Sequence, residues 1–213
     1  MHISIVELVE QLADVKKRNA ARDELVKLGD QPTAALLSAA KSPRDIQQYK
    51  AVLRTLLLIK DAQTEDLFRQ ALRSDDQEIR AIGARGLHLL KASDALNALQ
   101  VTINDSPDPL HFEQTPAVQS ILELGTTALP TVLTLMESAD ERTRQRAQYV
   151  LAGVVLRDIT QRLLPRPLTN DAQAAWEDLR QANGSYQWDG PESMRRASID
   201  LWKLWLARSA PKS

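Results

Sequence analysis

Apolar residues recur along the chain at helical spacing, in short runs separated by polar turns. In residues 4–14 the positions Ile5, Leu8, Val9 and Leu12 make one stripe, the spacing of an amphipathic helix. Residues 17–28 form its partner and stop at Gly29, a residue suited to a left-handed C-cap. Helices are predicted over 32–40 and 44–60 as a second pair, with Ser42-Pro43 as the turn between them. A third pair covers 64–73 and 76–91, where Asp75-Asp76 at the start and Lys91 at the end of the second helix suit its dipole. Residues 93–103 open a fourth pair, and 126–137 with 141–156 make a fifth, Pro130 being tolerable in a first turn.

The pairs share a register. Leu28, Ile59, Leu90 and Leu124 each close a second helix and lie 31, 31 and 34 residues apart, and Val154 follows 30 later. Leu36/Leu37, Leu67/Phe68, Ala98/Leu99 and Val132/Leu133 sit eight and nine residues past those anchors. The longer turn from Asn104 to Pro109 accounts for the interval of 34. A fixed period in this range predicts an array of helical pairs, each burying its apolar faces against its neighbours.

These units resemble HEAT repeats of the short bacterial kind, over residues 3–156. The resemblance rests on Asp76-Gln77-Glu78-Ile79-Arg80 with Leu87 and Leu90, and on Asp140-Glu141-Arg142-Thr143-Arg144 with Leu151 and Val154. An acid and an arginine four residues apart recur there, while the second and fourth units carry Tyr49 and Gln114 in the arginine position. The resemblance implies an all-α fold, a right-handed α-α superhelix of about five pairs with the second helices lining its concave side. It implies no single function, because such proteins include scaffolds, chaperones, bilin lyases and DNA-repair glycosylases.

Past residue 156 the period stops, so the expected organisation is an array over 1–156 and a helical cap over 157–213. All four tryptophans, Trp176, Trp188, Trp202 and Trp205, fall in this last part. Pro165-Arg166-Pro167 is a break, a helix follows over 171–182, and another starts at Pro191 and runs to about 208. The closing segment is similar to those of bacterial HEAT-type proteins. Trp176, Leu201, Trp202 and Trp205 are expected to cover the apolar end of the fifth pair, Trp202 and Trp205 sharing one stripe. Tyr186 and Trp188 lie in an irregular loop and are candidate ligand contacts.

Composition narrows the function. Hydrophobic residues make up 43% of the chain and aromatic ones 4%, so small aliphatic side chains fill the core. Lys plus Arg number 27 against 28 Asp plus Glu, a net charge of -1 that weighs against nucleic acid as a partner. The absence of cysteine removes disulfides, thiolate metal sites and thiol nucleophiles. No apolar run nears the roughly 20 residues of a membrane span, and no signal peptide opens the chain, so a soluble cytoplasmic protein is expected. Histidines occur at 2, 88 and 111, too scattered for a helical metal pair, and no nucleophile-elbow, phosphate-loop or dinucleotide motif is present. No metal, no cofactor and no catalysis are expected, and His88 is read as a boundary or core residue.

Aligning the second helices yields two polar columns. One holds Arg18, Tyr49, Arg80, Gln114 and Arg144; the other, five residues on, holds Asp23, Arg54, Arg85, Gln119 and Tyr149. Arg18, Arg54, Arg80, Arg85, Gln119, Arg144 and Tyr149 are the candidate groove contacts, suited to an acidic peptide or a phosphate because guanidinium forks hold such groups bidentately. The competing reading makes Arg80 and Arg144 rungs of a structural ladder with Asp76 and Asp140. The expected function is a protein-interaction or scaffold module holding a partner in the concave groove. The alternatives are a nucleic-acid-binding protein of the HEAT-type glycosylase kind and a bilin lyase or pigment chaperone.

Overall fold

The computed structural model describes residues 3–162 and 169–209 and is all-helical over them, with no strand among the described residues. In order come α1 (Ile5–Gln11), α2 (Arg18–Lys27), α3 (Thr33–Lys41), α4 (Ile46–Ile59), α5 (Glu65–Ala71) and α6 (Gln77–Leu89). They are followed by α7 (Ala95–Val101), α8 (Pro116–Leu124), α9 (Leu129–Met136), α10 (Glu141–Arg162), α11 (Thr169–Ala182) and α12 (Glu192–Ser209). Short 3-10 turns, Ala62–Thr64 and Gly125–Ala128, lead into α5 and α9. Helix α10 outruns the expected end at 156, its last turn carrying an Asp158–Arg162 pair at 2.8 Å. The proline-rich break at 165–167 lies outside the described residues. No helix among those described is long and apolar enough to cross a membrane.

Local chemistry sets the helix starts. The Ser4 hydroxyl accepts from the Glu7 amide while the Glu7 carboxylate accepts from the Ser4 amide at 2.8 Å, a capping box that opens α1. Asp45 and Asp76 cap α4 and α6, and Thr115 caps α8 with Pro116 in the first turn.

The helix ends carry the period in the backbone. Gly29, Lys60, Lys91 and Gly125 follow α2, α4, α6 and α8, and all four have positive φ, at 65°, 59°, 58° and 64°. Glycine adopts this region freely; lysine does so only against a steric cost of roughly 1 kcal/mol. The Lys60 amide donates to the Leu56 carbonyl, and the Lys91 and Ala92 amides donate to His88 and Leu87, closing the helices as a C-cap requires.

Two compact units divide the chain at 106/107, inside the long turn of the fourth pair. In the unit of residues 1–106, α2 packs on α4 and α4 on α6, α1 packs on α3, and α5 and α7 flank α6. Its core column is Leu25, Leu56 and Leu87, each fully buried, one turn before the anchors Leu28, Ile59 and Leu90, which are half-buried. Helices α5 and α6 approach closely at the glycines of α6. A Cβ at Gly86 would fall 2.3 Å from Cγ of the fully buried Phe68, so the ring lies directly on the helix backbone.

In the unit of residues 107–213, α10 packs against α8, α9 and α11, and Ile121 and Leu151 continue the core register. Helix α12 packs onto α9, a first helix, whereas α4, α6 and α10 each pack onto the preceding second helix of their own unit. The last pair is therefore joined differently from the others. Trp202 is 1% exposed, stacked on Trp176 with ring centroids 6.0 Å apart and edge-on to Trp205 at 5.3 Å. Leu201, expected in the same contact, is exposed.

Candidate functional site

The two columns of the second helices have opposite surroundings. In the first, Arg80 lies half-buried and its Nη1 donates to the carbonyls of Ser74 and Asp75 at 2.9 Å, in the turn just before α6. Its Nε and Nη2 form a fork on the two oxygens of Asp105, each at 2.8 Å. Arg144 repeats the first half of this arrangement: Nη1 donates to Ser138 at 3.0 Å and Ala139 at 2.7 Å. Its Nε donates to the Trp188 carbonyl at 2.8 Å. Arg18 makes the related bond from Nε to the Leu12 carbonyl, also 2.8 Å. Each arginine thus satisfies carbonyls left open where the chain turns between the helices of a pair.

The partners differ from the expected ladder. Asp76 caps α6 and binds the Lys50 ammonium at 2.6 Å, while Arg80 takes Asp105, 25 residues on. The Lys50 ammonium, followed by two backbone N–H bonds, draws the Asp76 carboxyl below its ordinary range. Asp140 accepts from the amide and hydroxyl of Thr143 at the start of α10. In both cases the acid is a cap, because an Asp before the first turn meets free backbone donors sooner than a side chain four residues later. The two departures behave as their residue types dictate. Tyr49 is half-buried, its hydroxyl pushed up by desolvation. Gln114 lies before α8, not on it: its amide donates to the His111 carbonyl and its carbonyl accepts from the Asp108 amide, folding the loop.

The second column faces outward. In the first unit Asp23 and Arg54 are exposed, Arg54 reaching Glu78 on α6, and Arg85 is half-buried and engaged. In the second unit Gln119 is exposed, and Tyr149 is 38% exposed with its hydroxyl 3.5 Å from the Gln114 amide. Sequence register alone could not separate the two columns, which are polar alike; their distance from the helix start does, since only the earlier one reaches the preceding turn.

Of the loop aromatics, Tyr186 is a core residue. It is 4% exposed, its hydroxyl donates to the Met136 carbonyl at 2.9 Å, and burial pushes its pKa up to about 12. Trp188 stays half-exposed, its amide held by Gln148 at 2.9 Å and its carbonyl by Arg144. The sequence reading missed Lys50, a buried lysine whose ammonium meets Asp76 at 2.6 Å and Glu78 at 2.8 Å. It also missed a cavity of about 710 Å³ where the end of α9 and the start of α10 face α12, lined by Arg144, Arg195 and Arg196 among others. Arg195 shares a turn with Arg196 in the sequence, which was the available signal. His88 is half-buried and engaged at the end of α6, and His111 is exposed beside Asp108.

No family model and no curated protein matches this chain.

Proposed function

We propose that the chain is a non-enzymatic interaction module, a HEAT-like solenoid of about five helical pairs wound as a right-handed superhelix, holding a protein partner along the second helices. The observation that carries the reading is the sorting of the two columns. Side chains nearest the turns serve the fold, and those five residues later, Arg54 in the first unit and Gln119 and Tyr149 in the second among them, are exposed on their helices. The offered set mixes cation, amide and aromatic, which suits a protein surface with an acidic segment better than a phosphate backbone.

Arg54→Gln in the first unit and Tyr149→Ala in the second test this. Both side chains lie outside the core, so each variant is expected to keep its stability within about 0.5–1 kcal/mol of wild type. Each should weaken capture of the protein partner identified with the wild-type chain. Equal capture by wild type and both variants would refute the column as the interface. Salt-dependent binding of the wild type to duplex DNA, or a shifted absorption spectrum on mixing with a bilin, would favour the other two classes instead.

A further inference from the structure

Arg80 and Arg144 occupy the same position in their helical pairs and differ in one partner. Both give Nη1 to two carbonyls of the turn behind them, five and six residues back. On Arg80 the remaining edge, Nε and Nη2, is closed by the carboxylate of Asp105. On Arg144 only Nε is used, by the Trp188 carbonyl. Its Nη2 has no acceptor among the described residues, yet is not sealed in the core, and the residue lines the 710 Å³ cavity while being only 8% exposed.

A second guanidinium faces the same cavity. Arg195 on α12 donates to the Gly190 carbonyl and pairs with no carboxylate among the described residues. Both arginines draw the Tyr186 pKa down, against the larger effect of burial. Two of the three carboxylates at the rim are engaged elsewhere, Glu192 with Arg196 at 2.5 Å and Glu137 with Lys203.

We infer that this cavity is a carboxylate-binding site, in which Arg144 Nη2 and Arg195 take an oxyanion brought by a ligand, as Arg80 Nη2 takes an oxygen of Asp105. Charge-assisted bonds to a guanidinium are among the stronger ones a protein makes, and a largely buried arginine is held in position before the ligand arrives. A carboxylate fits better than a phosphate. The rim acids repel a dianion more strongly than a monoanion, and the filled counterpart in the same chain is itself a carboxylate.

The test follows the side-chain Nε–Hε resonances of Arg144 and Arg195 by NMR while the full chain is titrated with sodium propionate, a capped Ala-Asp-Ala tripeptide or inorganic phosphate, at ionic strength held with chloride. Saturable shifts of both resonances with the carboxylates are expected. Arg195→Gln should weaken them about tenfold, the loss of one charge-assisted hydrogen bond. Arg195→Lys, which keeps the charge and loses the fork, should recover only part of the affinity. Melting temperatures of both variants separate a folding defect from a binding defect. Tighter binding of the tripeptide than of propionate identifies an acidic side chain of a partner segment as the source; equal binding identifies a small free carboxylate. Shifts that stay linear and match in wild type and Arg195→Gln, or saturation by phosphate alone, would overturn the assignment. Neither result bears on the Arg54 and Tyr149 column, whose variants leave this cavity intact.

Discussion

Lys50 gives the sharpest prediction about what joins one helical pair to the next. Its side chain on α4 is only 10% exposed, and its ammonium is held between Asp76 and Glu78 of α6 at 2.6 and 2.8 Å. Lys50→Met keeps the aliphatic stem in place and removes the charge, leaving Asp76 without a cation and Glu78 with only the exposed Arg54. Breaking a buried pair from one side costs about 3–5 kcal/mol. Here Asp76 and Glu78 keep 32% and 29% exposure, so water screens part of their repulsion, and about 2–3 kcal/mol is expected. That corresponds to a fall of roughly 10 °C in melting temperature for a unit of this size. Adding Asp76→Asn and Glu78→Gln removes the stranded charges and retains a capping side chain, so the triple variant should return to within about 1 kcal/mol of wild type. The pH profile supplies an independent check. The folded pKa of Asp76 is depressed, chiefly by Lys50, so its contribution is present above its ordinary value near 3.8 and is lost as pH falls through the folded value. That of Lys50 is raised, chiefly by Asp76, so its contribution is present below 10.5 and is lost as pH rises through the folded value. Urea denaturation of wild type, Lys50→Met and the triple variant across that range reads all of these. A Lys50→Met protein as stable as wild type at neutral pH, with an unchanged acid limb, would refute the reasoning.

Three further outcomes follow from the packing. Gly86→Ala places a methyl group inside the Phe68 ring position and is expected to cost more than about 2 kcal/mol, with much of the loss recovered by Phe68→Leu, both read by thermal melting. Lys91→Gly removes the steric cost of a positive φ at an exposed position and should stabilise by about 0.5 kcal/mol, while Gly29→Ala should destabilise by about 1 kcal/mol, as chemical denaturation would show. Trp202→Ala should cost about 3–5 kcal/mol and Trp202→Phe markedly less, because the buried indole N–H has no partner to lose; equal losses would mean that the ring stacking itself carries little.

The helical pairs were legible because each helix carries its own stripe and its own stop, and those signals are local. Leu28, Ile59, Leu90 and Leu124 marked the register but not the core, which peaks one turn earlier at Leu25, Leu56, Leu87 and Ile121. The last apolar residue of a helix sits at its rim, half open to water, whereas the residue a turn earlier meets the neighbouring helix. Trp202 is buried as its spacing predicts, whereas Trp205, on the same stripe, stays half-buried. What a side chain meets across a gap in the sequence was not readable: Lys50 looks like a solvated lysine until α6 brings two carboxylates to it, and Tyr186 looks like a loop aromatic until the end of α9 supplies the Met136 carbonyl. The partners of Arg80 and Arg144 lie at turn carbonyls and, for Arg80, at Asp105, where no fixed short spacing points.

The positive-φ residues at 29, 60 and 91 make the pairs of the first unit exchangeable parts. The chain leaves α2, α4 and α6 through a residue of positive φ, so the backbone turns there whether glycine or lysine stands at the corner. Excising residues 30–60 would deliver α5 to the exit of α2 through an unaltered corner and bring Leu87 into the row behind Leu25. A cut one residue longer or shorter would send the following helix off at the wrong angle. A gene encoding such a chain can gain or lose whole modules by in-frame recombination while tolerating almost no slippage within one.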